Sequence, residues 1–146
     1  MCERTLDKYP ALIGYALRMA KKYYSKEGYD HAIRVMQYVA DNEMIPYEYR
    51  NVCLALAVMH DLLEDTEYSM NYGLCKDFRD ALNLLTKPKD MDYIEYINTI
   101  RDTSNYDYKK CVWWVKLADM KDHLAQTDTL TDKLKDKYLK ALPYLL

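Results

Sequence analysis

Apolar residues recur three and four positions apart along most of the chain, which is the spacing of one face of an α-helix. No segment alternates between apolar and polar residues as a half-buried strand does, and only three glycines and four prolines interrupt the pattern. The pattern therefore predicts a single all-α domain over residues 1–146, a bundle of about six or seven helices.

Seven segments carry this helical spacing, and turn residues mark several of their ends. Gly28 lies between the first two segments, Asp30 is a candidate N-cap of the second, and Pro143 closes the last. The predicted helices cover residues 11–24, 31–40, 46–66, 70–86, 90–101, 108–126 and 132–142.

The run Val52–Met59 contains only apolar residues, so we predict that this part of its helix is buried on all sides. The run leads directly into four ionisable residues, which are His60, Asp61, Glu64 and Asp65. Burying a charge costs on the order of several kcal/mol unless the charge is paired or binds a metal. In a continuous helix residues four apart share one face, as His60 and Glu64 would, and adjacent residues such as His60 and Asp61 can flank one ligand.

Two other predicted helices carry ionisable residues in apolar surroundings. His31 lies on the apolar face of its helix, and Asp119 follows the apolar segment "CVWWV". Together with His60 and Asp61 they offer two imidazoles and two carboxylates, a mixed donor set that suits Mn²⁺ or Fe²⁺, with Co²⁺, Zn²⁺ and Mg²⁺ as alternatives. The other interpretation of each histidine is a core side chain held by hydrogen bonds, and spacing alone leaves both open.

Composition narrows the possible partners. Half of the residues are hydrophobic, 30% are charged, the net charge is −2 and the isoelectric point is about 5.9. These values argue against a general surface for nucleic acids, and no stretch is apolar enough to span a membrane, so we expect neither nucleic acid nor a membrane as a partner. Widely spaced cysteines without a CxxC motif predict reduced thiols in a cytoplasmic protein. These cysteines are Cys2, Cys53, Cys75 and Cys111.

Three longer motifs extend the pattern of candidate ligands. They are "HDLLEDT" at 60–66, "LLTKPKDMDYIEYI" at 84–97 and "VKLAD" at 115–119. With the order H…HD…D, these motifs resemble the HD superfamily of metal-dependent phosphohydrolases. The resemblance is to the branch that hydrolyses the alarmone (p)ppGpp, namely the RelA/SpoT-type hydrolases and their small stand-alone relatives, and it covers roughly residues 12 to 140.

The resemblance implies a function and a role for each motif residue. It implies the HD fold and a metal-dependent enzyme that removes the 3′-pyrophosphate of (p)ppGpp, with a nucleotide as its substrate. Glu64 and Asp65 match the pair that orients and activates the attacking water. The implied ligands of the metal, usually Mn²⁺ in this branch, are His31, His60, Asp61 and Asp119.

The chain departs from the branch around these motifs. His123 stands where the branch has an asparagine near the nucleotide, so it is a weak substrate contact, a partner of Asp119 or an ordinary surface residue. The basic loop before the first histidine is shortened, and its candidate phosphate contacts are Lys21, Lys22 and Lys26; Lys116 is a further candidate. Two alternative functions follow, an HD phosphohydrolase of other nucleotides or phosphoesters, and a non-catalytic nucleotide or metal sensor.

Overall fold

The computed structural model describes residues 11–103 and 107–146, and these residues form a helical bundle without strands. The described part contains seven α-helices of nine or more residues, one single-turn α-helix and a short 3₁₀ helix (Tyr47–Tyr49), which confirms the predicted all-α class. No helix of this part combines the length and apolarity that crossing a bilayer requires. The helices are α1 (Ala11–Tyr23), α2 (Lys26–Asp41), α3 (Arg50–Met59), α4 (Leu62–Asp65), α5 (Lys76–Leu84), α6 (Tyr93–Thr103), α7 (Asp107–Ala125) and α8 (Asp132–Leu145).

Helix α3 lies at the centre of the bundle and packs against α1, α2 and α7. Most of its residues are fully buried, including Cys53, Leu56 and Met59, as the uninterrupted apolar run predicts. Helix α7 packs against α2, α5, α6 and α8 in addition to α3. The end of α3 is therefore delivered to the interior, between α2 and α7.

The predicted helix over residues 46–66 is wrong in its second half, because α3 ends before His60 and the short α4 follows. The hydroxyl of Tyr24 lies at this break: it donates to the carbonyl of Val58 at 2.8 Å and accepts from the amide of Asp61 at 3.1 Å. A side chain that occupies two backbone groups replaces the bonds that would continue a helix. The argument that His60 and Glu64 share a continuous helical face therefore fails.

Three other predicted boundaries also differ from the structure. Helix α2 begins five residues before His31, because the hydroxyl of Ser25 accepts a hydrogen bond from the amide of Gly28 at 3.1 Å and caps the helix. Asp30 is therefore not the cap, and Gly28 lies inside the helix. Helix α5 starts at residue 76 instead of 70, and α8 continues through Pro143.

The prediction of four reduced thiols is wrong. Cys53 and Cys111 are free and buried, whereas Cys75 is disulfide-bonded. Cys2 lies outside the described residues. A disulfide depends on which cysteines the fold brings together, and spacing along the chain does not show that. The bond removes the thiol argument for a reducing compartment, so the cytoplasmic location stays a prediction.

Phe78 on α5 tests how tightly this core is packed. Its side chain is fully buried among apolar neighbours, so we expect Phe78→Ala to lower the free energy of unfolding by about 3–5 kcal/mol through lost contacts and a residual cavity. Urea denaturation measures the change. Tyr47→Ala is the control, because Tyr47 is 89% exposed. Equal stability of the two variants would contradict the packing described here.

Candidate metal centre

Four side chains from three parts of the fold meet in the interior. His31 comes from α2, His60 and Asp61 from the break after α3, and Asp119 from α7. One ligand atom from each lies within 4.8 Å of the other three. Asp119 Oδ1 is 2.9 Å from His31 Nε2 and 3.1 Å from His60 Nε2, and Asp61 Oδ2 is 3.1 Å from His60 Nε2. The group can hold a divalent metal ion, and it consists of the four residues that the sequence indicated.

Hydrogen bonds on the far side of each imidazole determine which nitrogen faces this group. His60 Nδ1 is 2.6 Å from the carbonyl oxygen of Ala57, which can only accept, so Nδ1 donates. His31 Nδ1 is 2.6 Å from Asp122 Oδ2, and an ionised carboxylate also only accepts. In the neutral state both imidazoles therefore direct the lone pair of Nε2 toward the shared centre. This is the usual arrangement of metal-binding histidines.

The electrostatics of the centre favour positive charge. The two Nε2 atoms are 3.2 Å apart, and facing lone pairs beside two carboxylates repel unless a proton or metal ion lies among them. Burial lowers the pKa of His60, but Asp61 and Asp119 raise it well above its usual value. Burial likewise raises the pKa of Asp119, but Lys116 and the nearby Nε2 atoms of three histidines, which donate to Asp119 when they are protonated, hold it well below its usual value. Nitrogen and oxygen donors beside two carboxylates are a set of atoms that fits a divalent cation.

Two further residues of α7 hold the carboxylate of Asp119. Lys116 donates to Asp119 Oδ2 at 2.9 Å, while His123 Nε2 lies 3.2 Å from Oδ1. The ring of His123 stacks on that of Tyr138, with centroids 4.8 Å apart and planes 7° apart. The structure thus places both weak substrate candidates beside a predicted ligand, at the edge of the cleft described next.

A cleft of about 260 Å³ opens beside the centre. Its wall combines carboxylates, lysines and tyrosines. The lining residues are Asp61, Glu64, Asp65, Leu85, Lys87, Tyr93, Tyr96, Lys116, Asp119, His123, Lys137 and Tyr138. Two of the candidate metal ligands, the predicted water-activating pair and cationic side chains therefore border one space.

Glu64 and Asp65 are exposed residues that border this cleft. Burial, followed by the charge of Asp61, raises the pKa of both carboxyls above its usual value. A carboxylate with a raised pKa holds a proton more strongly than an ordinary surface carboxylate, which suits proton transfer.

The lysines near the first histidine do not border the cleft. Lys21 lies over the ring of Tyr29 at 5.4 Å, Lys22 lies over that of Tyr23 at 5.2 Å, and Lys26 forms an exposed ion pair within α2. Their role as phosphate contacts stays a prediction, and none of the three lysines lines the cleft beside the centre.

Two residues that support the centre were missed in the sequence. Asp122 is three positions after Asp119 on α7 and so shares its face, a signal that could have indicated it. Burial raises the pKa of Asp122, but hydrogen bonds from Arg34 and His31 bring it below its usual value. Tyr24, which forms the break before Asp61, has no local signal, because its partners lie more than thirty residues away.

Comparison with known proteins adds no relative. Neither a scan against protein-family models nor a search of curated proteins found a match. The resemblance to HD phosphohydrolases therefore depends on the quoted motifs alone. The donor group and its cleft are features of the structure and do not depend on the resemblance.

Metal binding by this group can be measured without a substrate. We expect added Mn²⁺ to raise the melting temperature of the wild type, because an ion that binds only the folded state stabilises it by mass action. Asp61→Ala removes one of four donors and should lose at least about tenfold in affinity, together with most of this rise. Asp128→Ala, at an exposed aspartate, is the control. A metal-induced rise that is the same in all three proteins would contradict the site.

Proposed function

We propose that the protein is a metal-dependent phosphohydrolase that acts on a nucleotide. The observation that carries the proposal is the cleft, where the four-residue donor group meets Glu64, Asp65 and several lysines. The first candidate substrate is guanosine 3′,5′-bis(diphosphate), cleaved at its 3′-pyrophosphate, as the motif "HDLLEDT" implies. Other nucleotides and phosphoesters form the alternative substrate class.

His31, His60, Asp61 and Asp119 would hold the metal ion. Mn²⁺ is our first choice for this mixed donor set, with Fe²⁺, Co²⁺, Zn²⁺ and Mg²⁺ as alternatives. When bound, a divalent ion neutralises phosphate oxygens and lowers the pKa of a coordinated water. His31, His60 and Asp119 are buried, and the Nδ1 atom of each histidine is held by a hydrogen bond, so these donor atoms keep their orientation.

The carboxylates of Glu64 and Asp65 supply the proton chemistry. Hydrolysis consumes one water, whose oxygen bonds to the phosphorus attached to the 3′ oxygen. The bond between that phosphorus and the 3′ oxygen breaks, the 3′ oxygen takes up a proton, and pyrophosphate and GDP are released. In this proposal Glu64 accepts the proton of the attacking water, and Asp65 orients the water.

The cationic wall of the cleft suits a phosphate-bearing substrate. Lys87 and Lys137 border the cleft, and Lys137 also lies 4.3 Å from the ring centroid of Tyr93. Burial, then the charge of Lys116, lowers the pKa of Lys137, so its charged form is disfavoured in this setting. An anionic ligand in the cleft would stabilise the charged form. Lys116 itself pairs with Asp119, so we assign it to the centre and not to phosphate.

A substrate screen tests the proposal directly. Mn²⁺-loaded protein should release pyrophosphate from guanosine 3′,5′-bis(diphosphate), while protein treated with a chelator should not. Release of product from another nucleotide alone would favour the alternative substrate class. Binding of metal and nucleotides without any turnover would refute the proposed hydrolase activity and favour a non-catalytic sensor.

Substitution of the two carboxylates tests their role. We expect Glu64→Gln to keep metal affinity and fold while the hydrolysis rate falls by about 10²-fold or more, because a general base is removed. Asp65→Asn should act in the same direction, with a smaller effect if the residue only orients water. Glu67→Gln is the matched control, since Glu67 is exposed and does not border the cleft. Wild-type rates in both cleft variants would return the pair to an ordinary solvated helix end.

A further inference from the structure

Asp122 on α7 is a fully buried carboxylate whose two oxygens have different partners. Oδ2 lies 2.6 Å from His31 Nδ1, and Oδ1 accepts from Arg34 Nε at 2.8 Å. Gln126 reaches Oδ1 more weakly, at 3.4 Å. Helix α2 thus presents an imidazole and a guanidinium to a single acceptor on α7.

The two metal-binding imidazoles are held by unlike partners. His60 donates to a neutral backbone carbonyl, whereas His31 faces a carboxylate that a guanidinium also contacts. A carboxylate partner increases the electron-donating power of the opposite imidazole nitrogen more than a carbonyl does. The hydrogen bond to Asp122 therefore makes His31 the stronger donor of the two imidazoles. This hydrogen bond joins α2 to α7.

We propose that Asp122 and Arg34 are positioning residues that fix the tautomer of His31, so that its Nε2 lone pair faces the metal. The inference rests on the metal centre of the proposed function and extends it to residues outside the ligand set. Arg34 has a specific part in this arrangement: its Nε–H requires an acceptor at Oδ1, which leaves Oδ2 for His31.

This geometry makes an unusual prediction for Asp122→Asn. The amide has only one acceptor atom, and the Arg34 Nε–H requires that acceptor. The NH₂ group is then turned toward His31 Nδ1 and donates to it, which moves the imidazole proton to Nε2. The nitrogen that should bind metal carries a hydrogen instead. Gln126 imposes no such orientation, because its own amide can turn.

Removing Arg34 should reverse this defect. In the double variant Asp122→Asn with Arg34→Met, the amide is free to turn its oxygen toward His31 Nδ1 and restore the original tautomer. We expect Asp122→Asn to weaken Mn²⁺ and Zn²⁺ binding by about 10- to 100-fold. The double variant should bind more tightly than Asp122→Asn alone, although it has lost one more side chain. A residue needed only for stability would make the double variant worse.

The experiment combines metal titration with ¹⁵N NMR of the histidine side chains, and neither readout needs a substrate. In the metal-free protein two carboxylates compete for the proton of neutral His31: Asp122 lies 2.6 Å from Nδ1, and Asp119 lies 2.9 Å from Nε2. Because the contact with Asp122 is shorter and Asp119 is already paired with Lys116, we expect the proton on Nδ1 in the wild type and on Nε2 in Asp122→Asn. Asp128→Asn, at an exposed position near the end of α7, is the matched control and should match the wild type.

Each outcome decides the proposal. A wild-type His31 that carries its proton on Nε2 overturns it, even if no variant folds. Unchanged metal affinity in folded Asp122→Asn also overturns it, and so does a double variant that is weaker than Asp122→Asn. A wild type that binds no metal overturns the metal centre as well, whereas metal binding without hydrolysis refutes only the proposed activity.

Discussion

The convergence of His31, His60, Asp61 and Asp119 in the interior is the interaction on which the rest of the structure depends. With neutral imidazoles, the carboxylates of Asp61, Asp119 and Asp122 face only two cationic side chains, Lys116 and Arg34. One negative charge remains without a partner in a buried setting, where charge is costly. A proton on an imidazole or a bound metal cation relieves this cost, so the centre is organised to hold positive charge.

The fold explains how these polar groups reach the interior. Helix α3 is apolar all round and passes through the middle of the bundle, so its C-terminal end lies far from solvent. Tyr24 ends the helix at that depth, because its hydroxyl occupies the carbonyl of Val58 and the amide of Asp61. His60 and Asp61 therefore face α2 and α7. The cleft is bordered by Asp61 and Asp119 of the centre and by the exposed Glu64 and Asp65, so it connects the donor group with solvent.

Much of this arrangement could be predicted from the sequence, and the remainder depends on contacts between distant residues. Helical spacing predicted the all-α class, and ionisable residues in apolar surroundings indicated all four members of the donor group. The break after α3 depends on Tyr24, which lies more than thirty residues away in the chain. The start of α2 differs because Ser25 and Asp30 are both good cap residues, and the sequence alone does not choose between them. The lysines of the first loop were assigned by resemblance alone, and the structure shows them on the surface, while Lys87 and Lys137 border the cleft.

Anomalous X-ray scattering from crystals grown with Mn²⁺ tests the central claim most directly. The account predicts one strong manganese peak inside the bundle, at a coordination distance of about 2 Å from Nε2 of His31 and His60 and from carboxylate oxygens of Asp61 and Asp119. Manganese found only at exposed carboxylates, with hydrogen bonds alone joining the four side chains, would contradict it.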